Sequence, residues 1–398
     1  MRILVVNARY RPDAFGGATV IVQQLAHGLR DAGHEVVVFT ATYDSRLRPY
    51  RLYRYSDGPI PVVAVRVPDT ADPATQFDDP DVARAFVEVL GAVRPDVVHA
   101  HSLQSLGVGV VEAAQSAGVP TVVTLHDAWW LCERQFMVRQ TGQPCGQRAI
   151  RPEVCATCVA DAAAHDQRQH RSLRVLNDCE VVLAPSAFWR DLMAASGVAD
   201  DRAAVNANGI GRPRPGWTRS ARRGPLRVGY VGGTSDVKGY PVLLAALQGM
   251  DRDDYVLVVA DAATNVGHVG TTAADWPIDA EVRIVPGFTD DTREQFFDSI
   301  DILVFPSQAE ESYGMTVREA IVHGVWPIVT DVAALGDHVR DGRNATVVPR
   351  AGGAAALGAA LADALEHPRQ VPPDDAGIPT IADQVGDLVE HLRRATSR

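Results

Sequence analysis

Two glutamates eight positions apart stand in the segment Glu311-Ser312-Tyr313-Gly314-Met315-Thr316-Val317-Arg318-Glu319. A carboxylate accepts two hydrogen bonds from vicinal hydroxyls, so the pair could reach opposite ends of one bound ligand. Gly314 lets the backbone approach that ligand closely. A helix expected to begin near Met315 turns its N–H groups and the positive end of its dipole toward an anion. A second chemical segment is Val228-Gly229-Tyr230-Val231-Gly232-Gly233-Thr234-Ser235-Asp236-Val237-Lys238-Gly239, a strand, a glycine turn and a helix start. Lys238 is the single lysine among 38 Lys and Arg residues. Arg and Lys exchange freely on a solvated surface but not in a site, so the position of that lysine matters. The bland alternatives are a surface helix with ordinary acidic residues and a coding bias toward arginine.

Other residue groups add to these. The loop Pro12–Ala18 contains Gly16 and Gly17, which allow backbone N–H groups to point at a ligand; the alternative is a simple turn. His126-Asp127 ends the apolar run Thr121–Leu125, and His99 and His101 share one face of another run by strand alternation. A buried structural histidine is the alternative for each. Cys132, Cys145, Cys155 and Cys158 lie in a stretch with Trp129, Trp130 and Phe136, about residues 129–160, that reads as an insertion. A CxxC with two further cysteines suits a structural zinc; reduced thiols or a labile disulfide remain open. Cys179 reads as a plain core thiol.

The elements that must hold these groups are short apolar runs alternating with amphipathic segments. The first set is Ile3–Val6, Val36–Phe39, Val62–Val67, Val97–His99, Thr121–Leu125 and Val181–Ala184. The second is Arg227–Val231, Tyr255–Val259, Val282–Val285, Ile302–Phe305, Trp326–Val329 and Thr346–Val348. Continuous apolar runs of strand length belong to strands buried on both faces, and alternation with helices makes parallel sheets. Arg212–Arg223 has no apolar periodicity and reads as a linker; Ile381–Arg394 reads as a final amphipathic helix. The 398 residues therefore divide into 1–211, a linker 212–223, 224–378 and a C-terminal helix within 379–398 that packs back on the first domain. The expected fold is α/β, two facing Rossmann-like doubly wound sheets whose ligands bind at the carboxyl ends of the strands. A net charge of −11 argues against a nucleic-acid binder. With no run of roughly 18 apolar residues and no signal-peptide pattern, a cytoplasmic chain without membrane insertion is expected.

The glutamate segment and the Gly-x-x-Pro-Ile-Val re-entry Gly324–Val329 resemble the E-x7-E signature of retaining GT-B glycosyltransferases of family 4. The likeness continues through Arg9–Gly17, Gly33–Val36, Asp96–His101, the turns Ala184-Pro185-Ser186 and Asn208-Gly209-Ile210, and a cysteine cluster after His126-Asp127-x-Trp. By this resemblance Glu319 holds the ribose of a nucleotide and Glu311 the donor sugar. Gly314, Met315 and Thr316 offer N–H groups to sugar and diphosphate, and the loop with Gly16 and Gly17 lies beside the diphosphate. His126 reaches the donor sugar, His101 and Asp127 lie on the acceptor side, and the base meets backbone near Phe288. The family places an arginine at the position of Gly233 and a lysine at Lys238 to neutralise the leaving diphosphate; here only the lysine is present.

The implied activity is transfer of a hexosyl group from a UDP- or GDP-hexose to a hydroxyl of a small molecule or oligosaccharide, with retention of configuration. No cofactor is expected for catalysis, apart from the structural zinc open at the cysteines. The partners are the nucleotide sugar and the acceptor, with a homo-oligomer as a further option. An epimerase or hydrolase on the same fold, a phosphorylase, and a catalytically silent carbohydrate-binding protein are the rival readings.

Overall fold

The computed structural model describes residues 1–12, 16–70, 72–266, 269–371 and 377–397. The chain forms two compact units. One comprises Met1–Gln135, Gly146–Gly209 and Ile381–Arg398; the other comprises Phe136–Cys145 and Ile210–Thr380.

The first unit contains strands β1 (Arg2–Asn7), β2 (Glu35–Thr42), β3 (Leu52–Asp57), β4 (Ile60–Arg66), β5 (Val97–Ala100), β6 (Thr121–Thr124), β7 (Val181–Ala184) and β8 (Ala203–Val205). They form one sheet in the order β3-β4-β2-β1-β5-β6-β7-β8, parallel except for the β3–β4 hairpin. Ile3, Leu4, Val6, Val38, Val97, Val122 and Leu183 are all buried, as strands covered on both faces require. β3 escapes a search for apolar runs because it reads Leu-Tyr-Arg-Tyr-Ser-Asp, with Arg54 and Ser56 exposed on an edge strand. Helix Ile381–Thr396 belongs to this unit; Val385 packs so closely on helix Gly17–Asp31 that a Cβ at Gly28 would lie 2.5 Å from it.

The second unit contains β9 (Leu226–Val231), β10 (Tyr255–Asp261), β11 (Glu281–Pro286), β12 (Ile302–Phe305), β13 (Trp326–Thr330) and β14 (Thr346–Val348). They form an all-parallel sheet ordered β11-β10-β9-β12-β13-β14. The stretch 212–223 is not a free-standing linker but part of this unit. Its polar side chains fasten it there: Arg214 pairs with Glu294 at 2.8 Å, and Ser220 donates to Asp298 at 2.7 Å. Arg219 donates to Gly324 O at 3.2 Å and to Ile300 O. Among the described residues no helix is long and apolar enough to cross a membrane.

Candidate functional site

In the second sheet the strand order reverses between β9 and β12, which lie side by side. Loops leaving the carboxyl ends of strands at such a switch point are where open α/β sheets bind ligands. The loop after β9 carries Gly232–Gly239 and the loop after β12 carries Pro306–Gly314. The fold brings Lys238 and Glu311 together across these loops, with Nζ 3.0 Å from Oε1. Ser307 Oγ donates to the same carboxylate oxygen at 2.7 Å. Lys238 Nζ also stands 5.8 Å from the centre of the Phe305 ring, and its side chain is 40% exposed, so it stays accessible to an anion.

Glycines allow the two loops to approach each other. Gly239 has φ +82°, and a Cβ there would lie 1.9 Å from Pro306 O, so no side chain fits. Gly314 has φ +75° and caps helix Met315–Val322. The first-turn amides of that helix, at Met315 and Thr316, have no acceptor within the helix, which suits them to an anion. Gly233 explains the absent arginine. Its φ is +56°, and a Cβ would meet Asp261 Oδ2 at 2.8 Å. That carboxylate is itself fixed by the N–H groups of Ala263 at 2.9 Å and Thr271 at 2.7 Å.

Glu319 is buried on helix Met315–Val322 and pairs with Arg293 Nε at 3.1 Å; Arg293 also pairs with Asp290. Burial raises the Glu319 pKa above the usual carboxylate value, and the Arg293 charge opposes that rise. His323 Nδ1 donates to Glu319 O at 2.7 Å, and burial lowers its pKa to about 4, so the ring is neutral at neutral pH. Phe288 stacks on Phe296 at 4.8 Å, and the neighbouring Gly287 donates to Asp261 O at 3.1 Å and accepts from Asn265 Nδ2 at 2.8 Å.

Three arginines supporting this site were not singled out from sequence: Arg293, Arg318 and Arg350. Arg350 pairs with Glu310 at 2.8 Å and donates to Gln308 O at 3.3 Å, holding the loop before Glu311. Arg318 is fully buried on helix Met315–Val322, next to the buried Glu319.

In the first unit β1 and β5 are the reversal pair. His99 is fully buried on β5 and shares a hydrogen bond of 2.8 Å with Thr124 Oγ1. His101 follows β5, and its Nδ1 lies 2.9 Å from His126 Nε2, the two rings stacked at 5.2 Å. Burial lowers His99 to about 3 and His126 to about 4, and takes His101 well below its ordinary value. Asp127 accepts from Trp129 N at 2.9 Å and Gln135 Nε2 at 2.7 Å, while burial raises its pKa. A small cavity is lined by His101, His126, Asp127, Trp129, Trp130 and Gln135. Gly16, with φ +86°, caps helix Gly17–Asp31; Asp13, Ala14 and Phe15 of that loop lie outside the described residues.

Among the described residues no group of three or more His, Cys, Asp or Glu side chains is placed to hold a metal ion. A zinc ion needs sulfurs about 2.3 Å from one point. Cys155 is buried at the end of helix Pro152–Cys155, its Sγ accepting from Gln147 at 3.7 Å and Gln169 at 3.8 Å. Cys179 is buried, its thiol raised to about 12 by burial, in keeping with a core role.

Comparison with known proteins accounts for both halves. The family described as Glycosyl transferase 4-like domain matches residues 16–209, and Glycosyl transferases group 1 matches residues 219–374. The chain is 27% identical to a GDP-mannose-dependent alpha-mannosyltransferase of Mycolicibacterium smegmatis, over 93% of this chain and 90% of the relative. It is 25% identical to a D-inositol 3-phosphate glycosyltransferase of Pseudarthrobacter chlorophenolicus, over 84% and 78% respectively. Anabaena HepE in complex with UDP and glucose superposes with a TM-score of 0.67 at 17% identity, over 99% of each chain. Sucrose-phosphate synthase of Thermosynechococcus elongatus superposes with a TM-score of 0.66 at 17% identity, over 100% of this chain and 96% of that one. The two units carry the GT-B fold, and the chain belongs to the glycosyltransferases of family 4.

Proposed function

We propose that the protein transfers a hexosyl group from a nucleoside diphosphate hexose to a hydroxyl of a small-molecule or oligosaccharide acceptor, with retention at the anomeric carbon. The observation that carries this reading is the Lys238–Glu311 pair at the switch point of the second sheet. It sets one cation for a diphosphate beside one carboxylate for sugar hydroxyls. Glu319, buried and ionically paired, is assigned to the ribose. Gly314, Met315 and Thr316 present N–H groups to the diphosphate. In the first unit His126 is assigned to a sugar hydroxyl, with His101 and Asp127 on the acceptor side. Family relatives support the donor class: one is named for GDP-mannose, and HepE has been crystallised with UDP-glucose.

In the reaction the bond from the anomeric carbon to the diphosphate oxygen breaks, and a bond to the acceptor oxygen forms on the same face. The leaving phosphate oxygen takes the acceptor proton. Lys238 and the amides after Gly314 stabilise the charge growing on the leaving group, the kind of preorganised electrostatic contribution that dominates many enzymes. The test has two stages. Thermal melting with UDP, GDP, ADP and TDP and their hexoses identifies the nucleotide, because a ligand bound only by the folded state raises Tm. Product NMR with a sugar acceptor then reads the anomeric configuration. A nucleotide-induced rise in Tm and a product with the donor's configuration are expected. An inverted product, or isomerised sugar formed without acceptor, overturns the proposal.

A further inference from the structure

Resting on the reading of the second unit as the nucleotide-sugar site, we propose that Arg318 is a positioning residue for the donor diphosphate. It supplies from beneath the Tyr313–Gly314 turn the positive charge that Gly233 cannot carry. The shortage of cations is structural. Gly233 has no room for a side chain beside Asp261, and Lys238 is already paired with Glu311.

Arg318 has no exposed surface. Burying a guanidinium is expensive unless it is fully engaged. Its Nε donates to His338 Nδ1 at 3.0 Å, Nη2 to Ala334 O at 3.0 Å, and Nη1 to Tyr313 O. The guanidinium lies 3.8 Å over the Tyr313 ring. None of these hydrogen-bond acceptors is a carboxylate, and the Asp337 carboxylate attracts the guanidinium besides. Burial lowers the Arg318 pKa only to about 10, leaving it protonated at neutral pH.

The direction of the contact follows from peptide geometry. In a trans peptide the C=O and the next N–H point opposite ways. Tying Tyr313 O inward to Arg318 therefore turns the Gly314 N–H outward, at the start of the helix whose amides are assigned to the diphosphate. The guanidinium also polarises that peptide, which strengthens its N–H as a donor. A Cβ at Gly314 would lie 3.6 Å from Arg318 Nη1, so the charge sits directly behind the turn. A purely structural staple between Tyr313 and Ala334 would need the same contacts but would not discriminate between charged and neutral ligands.

The experiment compares wild type, Arg318→Gln, Arg318→Lys and His338→Glu by titration calorimetry. The probes are inorganic pyrophosphate, whichever of UDP, GDP or ADP stabilises wild type, and the matching nucleoside. Arg318→Gln keeps a hydrogen-bond donor without charge, and His338→Glu sets a carboxylate against an intact Arg318, so the second variant serves where the first fails to fold. Both should bind pyrophosphate and the nucleoside diphosphate about tenfold or more weakly, with nucleoside affinity unchanged. Arg318→Lys should recover part of the loss. Equal weakening of nucleoside and diphosphate, or no weakening of either, overturns the proposal. Absence of any nucleotide binding by wild type would instead remove the donor-site reading on which it rests.

Discussion

Lys238 Nζ and Glu311 Oε1 lie 3.0 Å apart, joining loops that leave the adjacent strands β9 and β12. The lone lysine and the first glutamate of the pair thus share one charge balance. In the proposed role a diphosphate arriving at Lys238 would compete with Glu311 for the ammonium, while Ser307, at 2.7 Å, holds the carboxylate. Lys238→Ala should lower kcat about 10²–10³-fold, the equivalent of about 2.7–4 kcal/mol of leaving-group stabilisation. Because the ion pair is partly exposed, the stability change should be no more than about 1 kcal/mol. Steady-state kinetics and thermal melting on the same preparations check both; near wild-type turnover would remove Lys238 from its assigned role.

Glu319 and Arg293 form a buried pair with a different consequence. In the proposed ribose-binding role Glu319 accepts best when ionised, with both oxygens free to take hydroxyl hydrogen bonds. Burial raises its pKa and Arg293 opposes the rise. Removing the cation in Arg293→Met therefore raises that pKa further. Donor affinity in the variant should fall on acidification from a higher pH than in wild type. Nucleotide affinity measured as a function of pH checks this. Parallel pH profiles in the two proteins would show that Arg293 does not set the ionisation of Glu319.

Much of this arrangement was readable from residue order. Runs such as Ile302–Phe305 mark strands covered on both faces, and the glutamate segment follows one of them directly, so its place at a strand's carboxyl end was visible. Spacing such as that of Cys155 and Cys158 cannot tell metal ligands from plain thiols, because it constrains neither the direction of a thiol nor the residues around it. Side-chain amides of Gln147 and Gln169 donate to the Cys155 thiol. The Arg212–Arg223 stretch was also opaque. Its lack of apolar periodicity marks the absence of a helix or strand, yet Arg214, Arg219 and Ser220 attach it through polar contacts that periodicity does not register. Arg293 and Arg318 were hidden for a related reason: in sequence, a buried arginine looks like any other among 38 Lys and Arg residues.

The histidines of the first unit predict an acid response in stability. The folded pKa of His99 is about 3 and that of His126 about 4, with His101 also depressed, all by burial. An unfolded histidine titrates near about 6.5. As pH falls below that value the unfolded state binds protons that the folded state refuses, so stability is lost and continues to be lost until the folded groups protonate. Melting of the intact protein should therefore weaken steadily from mildly acidic pH downward. His99→Gln, which keeps a polar partner for Thr124, should flatten the pH dependence while leaving the remaining histidines to supply the rest. An unchanged slope in that variant would mean that His99 is not among the groups responsible.

Restoring the family's arginine offers the sharpest contrast between sequence logic and local geometry. Judged from sequence, Gly233→Arg adds a second cation to the diphosphate turn and should raise activity. The backbone argues otherwise. Gly233 has φ +56°, which strains any L side chain, and its Cβ would meet Asp261 Oδ2 at 2.8 Å. Asp261 cannot yield freely, since it caps the N–H groups of Ala263 and Thr271 at 2.9 and 2.7 Å. Strain and overpacking of this kind cost on the order of 1–3 kcal/mol each. Displacing Asp261 would also leave two amides without their acceptor. Gly233→Arg should therefore lower Tm and reduce turnover. A variant with unchanged Tm and faster turnover would show that the turn can accept the arginine, and the positive charge beneath Gly314 would then no longer be needed to explain how the site works without it.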